Sequence, residues 1–369
     1  MVLRKVGCWV LIKGKNIDQC ISSRKNNLDI IRFIAAALVL FSHSYPLTLG
    51  NNWTEPFGVL TRGDMTFGEF AVSIFFVISG FLITQSFDRS KDLVYYFQAR
   101  ILRIFPALIF CVLLIIFVLG PIFTDLSFRD YFNHHETYDY LRTISLYWLQ
   151  FDLPGVFQTN VWPGAVNGSL WTLWFEFFFY IVVAILGVTR LLKKRIVLLG
   201  FILSTVLFIL GKGGFYTDLF RYFSAGMVFY LFRKQIRLNG WVAFLSFVFL
   251  LSTIRTGYFS YSLSIFGTYL IFYLAFDTRI KMHNFGKYGD FSYGIYIYAF
   301  PVQQIMTFIS GNKLTPLENT LLSFPVTLLL AIVSWNLVEK QALKYKKYPY
   351  IKRQLQIQEM AIDSRSKRL

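Results

Sequence analysis

Charged and basic side chains interrupt one apolar stretch near the start of the sequence. The segment LDIIRFIAAALVLFSHSYPL, residues 28–47, carries Asp29 and Arg32 near one end and His43 near the other. If the segment is helical, the eleven residues from Arg32 to His43 make about three turns plus ~20°, so these two side chains share a face, about 16 Å apart along the axis. Charge within a bilayer costs at least ~2.5–3.5 kcal/mol on insertion scales. The pattern indicates either a functional polar stripe or two interior residues that fix helix packing.

A second apolar segment carries a carboxylate. The stretch NGSLWTLWFEFFFY, residues 167–180, places Glu176 inside an aromatic run. We count depth at 1.5 Å per residue from the helix end that faces away from the cytoplasm, near residue 168 for Glu176 and near residue 50 for His43. Glu176 then lies about 12 Å deep and His43 about 10 Å deep. We therefore expect a His–Glu pair in which the carboxylate orients the imidazole and the imidazole accepts a proton. The alternative is that Glu176 is a structural partner of another helix.

A pair of arginines opens a third apolar segment. In RILRIFP, residues 100–106, Arg100 and Arg103 are three residues apart and share one helix face. Guanidinium groups present several donors to phosphate oxygens, so the pair is suited to an anionic ligand. The alternative is that both residues only anchor the helix at the membrane surface.

Small and isolated polar residues mark two further segments. Ser79 and Gly80, in FFVISGFLI, allow close helix packing or form the wall of a passage, since nothing nearby would activate Ser79 as a nucleophile. Arg221, in DLFRYFSAG, lies near the outer end of its segment. It either snorkels to the membrane surface or faces a polar outer cavity.

The composition excludes an ordinary soluble domain. The chain is 55% hydrophobic and 15% charged, against roughly 25% charged residues in soluble proteins. This predicts an all-α polytopic membrane protein. Apolar runs of suitable length predict about ten transmembrane helices, at residues 28–49, 66–87, 101–123, 168–188, 196–211, 216–232, 241–255, 259–276, 288–309 and 318–338.

The positions of lysine and arginine orient these helices. With a cytoplasmic N-terminus, 29 of the 37 lysine and arginine residues fall in inner segments and 6 in outer loops. This is the asymmetry of the positive-inside rule, and it predicts that both termini are cytoplasmic. It also explains the formal net charge of +17 as topology, so nucleic acid is not an expected partner.

The sequence divides into one membrane domain and two tails. Residues 1–27 form a predicted cytoplasmic tail, residues 28–340 the transmembrane domain and residues 341–369 a basic cytoplasmic tail. The three cysteines have neither metal-ligand spacing nor the pattern of a disulfide framework. No metal site is predicted.

Taken in order, these motifs resemble the acyltransferase-3 family of bacterial integral membrane acyltransferases over nearly the whole chain. LDIIRFIAAALVLFSH, FFVISGFLI, RILRIFP and SLWTLWFEFFFY are similar to four family motifs, and FSYGIYIYAFP and WNLVEK match further along. Ala299 departs from the pattern, because many members have a histidine there. His43 is therefore the only histidine within a predicted helix.

The resemblance implies transfer of an acyl group, often acetyl from acetyl-CoA, to a hydroxyl of a cell-surface carbohydrate. It implies a cytoplasmic (inner) membrane enzyme that uses acyl-CoA as a substrate and keeps no permanently bound cofactor. The expected partners are the lipid bilayer and an acceptor glycan such as O-antigen, capsule or exopolysaccharide, or its lipid-linked precursor.

Roles for individual residues follow from this reading. Arg100 and Arg103, with Arg32, are expected to bind the acyl-CoA. His43 and Glu176 are expected to be catalytic, with His43 as general base or as the site of an acyl-enzyme. The passage or acceptor site is assigned to Ser79, Gly80, Trp171 and Arg221.

A transporter of a lipid-linked sugar or a small metabolite is the alternative function. It would also place arginine, histidine and glutamate within membrane helices. It gives no reason for an arginine pair at the cytoplasmic mouth, and an assay of transfer from labelled acetyl-CoA separates the two functions.

Overall fold

The computed structural model of this chain describes residues 14–22, 26–90, 92–277, 279 and 282–347. Most of these residues are helical, and they contain no strand but two isolated β-bridges, Asn16 to Arg237 and Thr124 to Val156. The all-α prediction is therefore confirmed for this part of the chain. The predicted tails are described only in part, because residues 1–13, 23–25 and 348–369 lie outside the described residues.

A helix occupies each of the ten segments that were predicted to be apolar helices. In chain order they are α1 Leu28–Leu49, α2 Phe67–Ser90, α3 Leu93–Phe123, α4 Trp171–Val188, α5 Lys194–Ile209, α6 Gly214–Leu231, α7 Gly240–Thr253, α8 Phe259–Phe276, α9 Ser292–Ile309 and α10 Pro316–Lys344. Within the described residues, six of them are long and apolar enough to cross a membrane: α1, α2, α3, α4, α8 and α10.

Short helices and wide turns complete the fold. The short helices are Ile17–Ser22, Pro56–Leu60, Phe128–Asn133, His135–Asp139, Tyr140–Ser145, Phe285–Lys287 and Tyr345–Lys347. A π-helical turn interrupts α3, α8 and α10, at Ile115–Leu119, Leu263–Gly267 and Trp335–Glu339. Such turns shift the following side chains around the helix axis, and they occur frequently at functional sites.

The two ends of the helical bundle differ in character. Residues 124–170, between α3 and α4, fold over one end, which we call the loop end. There Gln304 of α9 donates hydrogen bonds to the carbonyl oxygens of Trp162 (2.9 Å) and Ala165 (2.7 Å), and these bonds tie the segment to the bundle. The opposite end carries Arg32, Arg100 and Arg103, and we call it the basic end.

Helices α2 and α6 approach each other closely because both carry a glycine at the contact. A Cβ atom added to Gly80 would lie 1.9 Å from the carbonyl oxygen of Phe223, and one added to Gly226 would lie 2.0 Å from that of Val77. Small residues are what allow backbones to come this close. Of the two readings of Gly80, close packing is therefore the one that its surroundings support.

We expect Gly80→Ala to destabilise the fold. The new methyl group would meet the α6 backbone, and such overpacking typically costs about 1–3 kcal/mol. Gly200→Ala is the matched control, because its Cβ would meet only Phe220, at 3.8 Å, and alanine favours a helix by about 0.5–1 kcal/mol. Thermal unfolding of the purified variants in detergent measures both, and equal melting temperatures would show that the α2–α6 contact tolerates a side chain.

Candidate active site

Four helices are joined at the basic end by one carboxylate-bridged network. Asp290, just before α9, contacts Arg32 of α1 (3.0 Å) and Arg103 of α3 (2.6 Å). Arg103 also reaches Glu339 of α10 (3.2 Å), and Arg32 reaches Asp29 (2.5 Å). Both arginines therefore have carboxylate partners within the protein. The π-helical turn that ends at Glu339 brings this side chain to the network.

Arg100 is in a different electrostatic situation. Its guanidinium lies 5.9 Å from the ring centres of Tyr96 and Tyr180, and one of its nitrogens donates to Ser86 Oγ (3.3 Å). No carboxylate among the described residues forms an ion pair with it, and its buried Nε has no hydrogen-bond partner. Arg100 is thus a cation that no described carboxylate neutralises.

These arginines border a cavity of about 340 Å³, which we call the basic cavity. Its polar lining includes Arg32, Arg100, Arg103, Ser79, Glu176 and Lys346. Apolar side chains of α2, among them Phe75 and Leu82, form much of the remaining wall. The basic cavity has cations at one end and a largely apolar wall beyond them. It therefore suits a ligand with an anionic head and a less polar arm.

Glu176 lies in the basic cavity and is not paired with His43. Its carboxylate accepts hydrogen bonds from Ser79 Oγ (3.0 Å) and from the hydroxyl of Tyr180. His43 instead lies beside Ser169, seven residues earlier in the chain, where Ser169 Oγ is 3.5 Å from Nδ1. Among the described residues His43 and Glu176 share no hydrogen bond or ion pair, and they line different cavities, so the structure does not bring them together as a pair.

His43 borders a second cavity, of about 290 Å³, toward the loop end. We call it the histidine cavity. Three carboxylates, Asp64, Glu69 and Asp218, line it together with Trp171. The imidazole packs edge-on against Phe300 (5.4 Å between ring centres), and no hydrogen bond to Nε2 is found among the described residues. Nε2 can therefore accept a proton from a ligand in the tautomer whose Nδ1–H donates to Ser169 Oγ.

Arg221 belongs to the wall of the histidine cavity. Its side chain is 1% exposed and donates to Asp218 Oδ1 (2.8 Å) and to the carbonyl oxygen of Ser260 (3.0 Å). The ring of Phe208 covers it at 3.7 Å. Arg221 therefore does not snorkel; it lies at the polar cavity, with its charge already paired.

The two cavities are neighbours, and Val72 and Tyr296 line both of them. The hydroxyl of Tyr296 donates to the carbonyl oxygen of Ser169 (2.7 Å) and lies 2.5 Å from Thr172 Oγ1. These bonds fix the tyrosine ring between the arginine-lined cavity and the histidine. A group that moved from one cavity to the other would pass these two side chains.

Sequence reasoning missed several of the residues at this site. Tyr296 lies in FSYGIYIYAFP, which was noted only as a match, and Asp290 directly precedes that stretch. An aspartate between two apolar segments was a usable signal, because a carboxylate near three arginines is a natural partner. Val72 and Lys346 carry no such signal in the sequence.

Comparison with known proteins identifies the family. Residues 25–336 match the sequence model of the acyltransferase domain of the acyltransferase-3 family. The chain belongs to this family. The protein is therefore an acyltransferase, and this finding decides against the transporter alternative.

Two curated relatives cover most of the acyltransferase. An O-acetyl transferase of Shigella phage Sf6 is 32% identical over 340 residues, which are 87% of this chain and 96% of the relative. Nodulation protein 10 of Rhizobium leguminosarum bv. viciae is 26% identical over 367 residues, 88% of this chain and 95% of the relative. No solved structure matches.

Proposed function

We propose that this acyltransferase moves an acetyl group from acetyl-CoA on the cytoplasmic side to a hydroxyl of a surface polysaccharide or its lipid-linked precursor. The observation that supports this most is the pair of cavities, one basic and one with a histidine, that adjoin at Val72 and Tyr296. The similarity to an O-acetyl transferase supports acetyl as the group transferred. O-antigen, capsule and exopolysaccharide are acceptors of the expected kind.

The proposal includes the orientation of the chain in the bacterial inner membrane. We propose ten membrane crossings, a transmembrane domain at residues 28–340 and cytoplasmic termini. The basic end then faces the cytoplasm and the loop end faces outward, as the distribution of lysine and arginine favours. In this orientation the basic cavity is reached by a cytoplasmic donor and the histidine cavity by an acceptor at the outer face.

The donor would enter the basic cavity with its phosphates at Arg100. Its uncharged arm would pass Ser79 and Glu176, whose mutual hydrogen bond (3.0 Å) fixes both side chains in the wall. The thioester would then reach Tyr296. Arg103 and Arg32, held by their ion pairs with Asp290, would form the entrance of the basic cavity. No permanently bound cofactor is involved.

The acceptor sugar would occupy the histidine cavity. A carboxylate has several lone pairs for hydrogen bonds from sugar hydroxyls, so Asp64, Glu69 and Asp218 could accept such bonds beside those they accept within the protein. Trp171, which packs 4.7 Å from Phe215 between ring centres, offers an aromatic face to the sugar ring. Arg221 holds Asp218 in place and so contributes to the shape of the acceptor site.

His43 would carry the chemistry as general base. Nε2 accepts the proton of the sugar hydroxyl while the hydroxyl oxygen attacks the thioester carbonyl carbon. The carbon–sulfur bond then breaks, and the proton passes from His43 to the departing thiolate, which gives the acetyl ester and free CoA. Transfer through an acyl-enzyme on His43 is the second route. In either route Glu176 stays in the wall of the basic cavity, beside the donor, and does not contact the imidazole.

Mass spectrometry of surface glycans tests the function directly. Cells that express the chain should carry glycans heavier by one acetyl group per modified sugar than cells without it. Membrane vesicles should transfer label from the acetyl group of acetyl-CoA to the same glycan fraction. Unchanged glycans together with unlabelled vesicles would contradict the proposed function.

Arg100→Ala is expected to weaken donor binding about tenfold or more. A hydrogen bond to a charged group is worth about 1.5–3 kcal/mol, and every 1.4 kcal/mol is a factor of ten in affinity. Arg100→Lys should recover part of the loss, because an ammonium group lacks the fork of the guanidinium. Titration of acetyl-CoA into the purified variants measures this, with Arg190→Ala as the control on an exposed turn. An Arg100→Ala protein with wild-type affinity would reduce Arg100 to a membrane anchor.

A further inference from the structure

One residue of the basic cavity lies outside the matched acyltransferase domain. Lys346 belongs to the turn Tyr345–Lys347, beyond the domain boundary at residue 336. It lines the basic cavity together with Leu343, three residues earlier at the end of α10, so the end of α10 and the turn after it present one face to the cavity. Lys344, by contrast, is exposed and donates to Gln341 Oε1 (2.6 Å).

A hydrogen bond to α3 holds this turn in place. Gln98 Nε2 donates to the carbonyl oxygen of Tyr345 (3.3 Å), the residue next to Lys346. The Lys346 ammonium lies 5.9 Å from the ring centre of Tyr95, also on α3. Arg100 is itself a residue of α3. One helix therefore carries Arg100 and also holds the turn that carries Lys346.

Two cations of the basic cavity have no described carboxylate partner, because Glu176 in the same lining is hydrogen-bonded to Ser79 and Tyr180. Asp290 and Glu339 neutralise Arg32 and Arg103, but Arg100 and Lys346 form no ion pair with any carboxylate that the structure describes. Burial lowers the pKa of the Lys346 ammonium, and the charges of Arg100 and Arg103 lower it further. Two repelling cations beside one cavity are stabilised by a bound anion.

We propose that Lys346 and Arg100 together bind the phosphates of the donor, while Arg32 and Arg103 hold the helix ends in place through Asp290 and Glu339. The donor class is then a thioester whose carrier bears phosphate groups, as coenzyme A does, and a neutral pantetheine thioester would be a poor substitute. This inference rests on the proposed function and adds a donor-binding residue from beyond the matched domain. Because both cations lie at one end of the cavity, the acyl end of the donor points toward Tyr296.

Binding of two donors to the full-length purified protein tests the inference. The probes are acetyl-CoA and S-acetylpantetheine, which keeps the thioester and its arm but has no phosphate. We expect Lys346→Ala to weaken acetyl-CoA binding about tenfold, as loss of one charge-assisted contact implies, and to leave S-acetylpantetheine binding unchanged. Lys346→Arg should stay within about threefold of the wild type. Lys344→Ala is the matched control, because it removes the same charge from the neighbouring exposed position.

Each outcome has a distinct meaning. Wild-type affinity for acetyl-CoA in Lys346→Ala overturns the inference, as does an equal loss with both probes, which would show a structural role. An equal loss in Lys344→Ala overturns it too, because the effect would then reflect net charge alone. If the wild type itself does not bind acetyl-CoA, the proposed function fails, and this result differs from a failure confined to the Lys346 variants.

Discussion

Replacing His43 with alanine is expected to reduce acetyl transfer by roughly 10²–10⁴-fold, the usual contribution of a general acid–base catalyst. The loss would be larger if His43 carried the acetyl group. Donor affinity should be unchanged, because Arg100 and Lys346 lie in the other cavity. The fold should also persist, since removing a polar side chain from a membrane helix lowers its insertion cost. The measurement is the transfer rate at saturating acetyl-CoA, normalised to folded protein.

Two further variants sharpen the test of His43. His43→Gln keeps a hydrogen-bonding side chain without a basic nitrogen and should be about as inactive as the alanine variant. His135→Ala, at an exposed position of the loop end, is the control and should transfer at the wild-type rate. A folded His43→Ala protein that acetylates glycan at near wild-type rate would rule out this mechanism and leave the family membership intact.

Asp290→Ala is expected to cause the largest loss of stability. Removing this carboxylate leaves Arg32 and Arg103 without their shared partner, and breaking a buried ion pair typically costs about 3–5 kcal/mol. Both arginine side chains are about one-fifth exposed, 21% and 23%, and each keeps a second carboxylate, Asp29 or Glu339, so we expect the lower end of that range. The melting temperature of the purified protein in detergent should fall accordingly.

The control for Asp290 is a carboxylate in a more exposed ion pair. Asp139 contacts Arg142 (3.0 Å), and the two side chains are 27% and 58% exposed. Exposed pairs are worth about 0–1 kcal/mol, so Asp139→Ala should barely shift the melting temperature. If the two variants melted together, the network at the basic end would not be what holds α1, α3 and α9 to one another.

The helices and their polar residues could be predicted because both depend on local sequence. A run of apolar residues must form internal backbone hydrogen bonds in a bilayer, so the ten helical segments followed from hydropathy. Arg32 and His43 share a helix, and their separation along it follows from the helical rise. The motifs also led to the family, and the match over residues 25–336 confirmed it.

The number of membrane crossings shows a limit of that reasoning. Helices occupy all ten segments, yet only six of the described ones have the length and hydropathy of a membrane span. α7 has 14 residues, fewer than a bilayer usually requires. Hydropathy predicts where a helix forms more securely than how it lies relative to the membrane.

The partners of the charged residues were decided by the tertiary structure. The sequence predicted a His43–Glu176 pair from two depths, each counted from an assumed helix end. An error of a few residues at either end moves a side chain by several ångströms, which is more than the length of a hydrogen bond. The structure instead places Glu176 with Ser79 and Tyr180, and His43 beside Ser169.

The sequence by itself determined the class of this protein, its helices, its family and the set of ionisable residues available for chemistry. Only the tertiary structure decided which arginines already have carboxylate partners, which side chains line both cavities and that Lys346 reaches one of these cavities. The physical reason is that local periodicity fixes the face of each helix, whereas helix rotation, π-helical turns and close contacts such as that at Gly80 fix which faces meet. These long-range contacts join residues as far apart as Arg32 and Asp290, and no short window of sequence contains both.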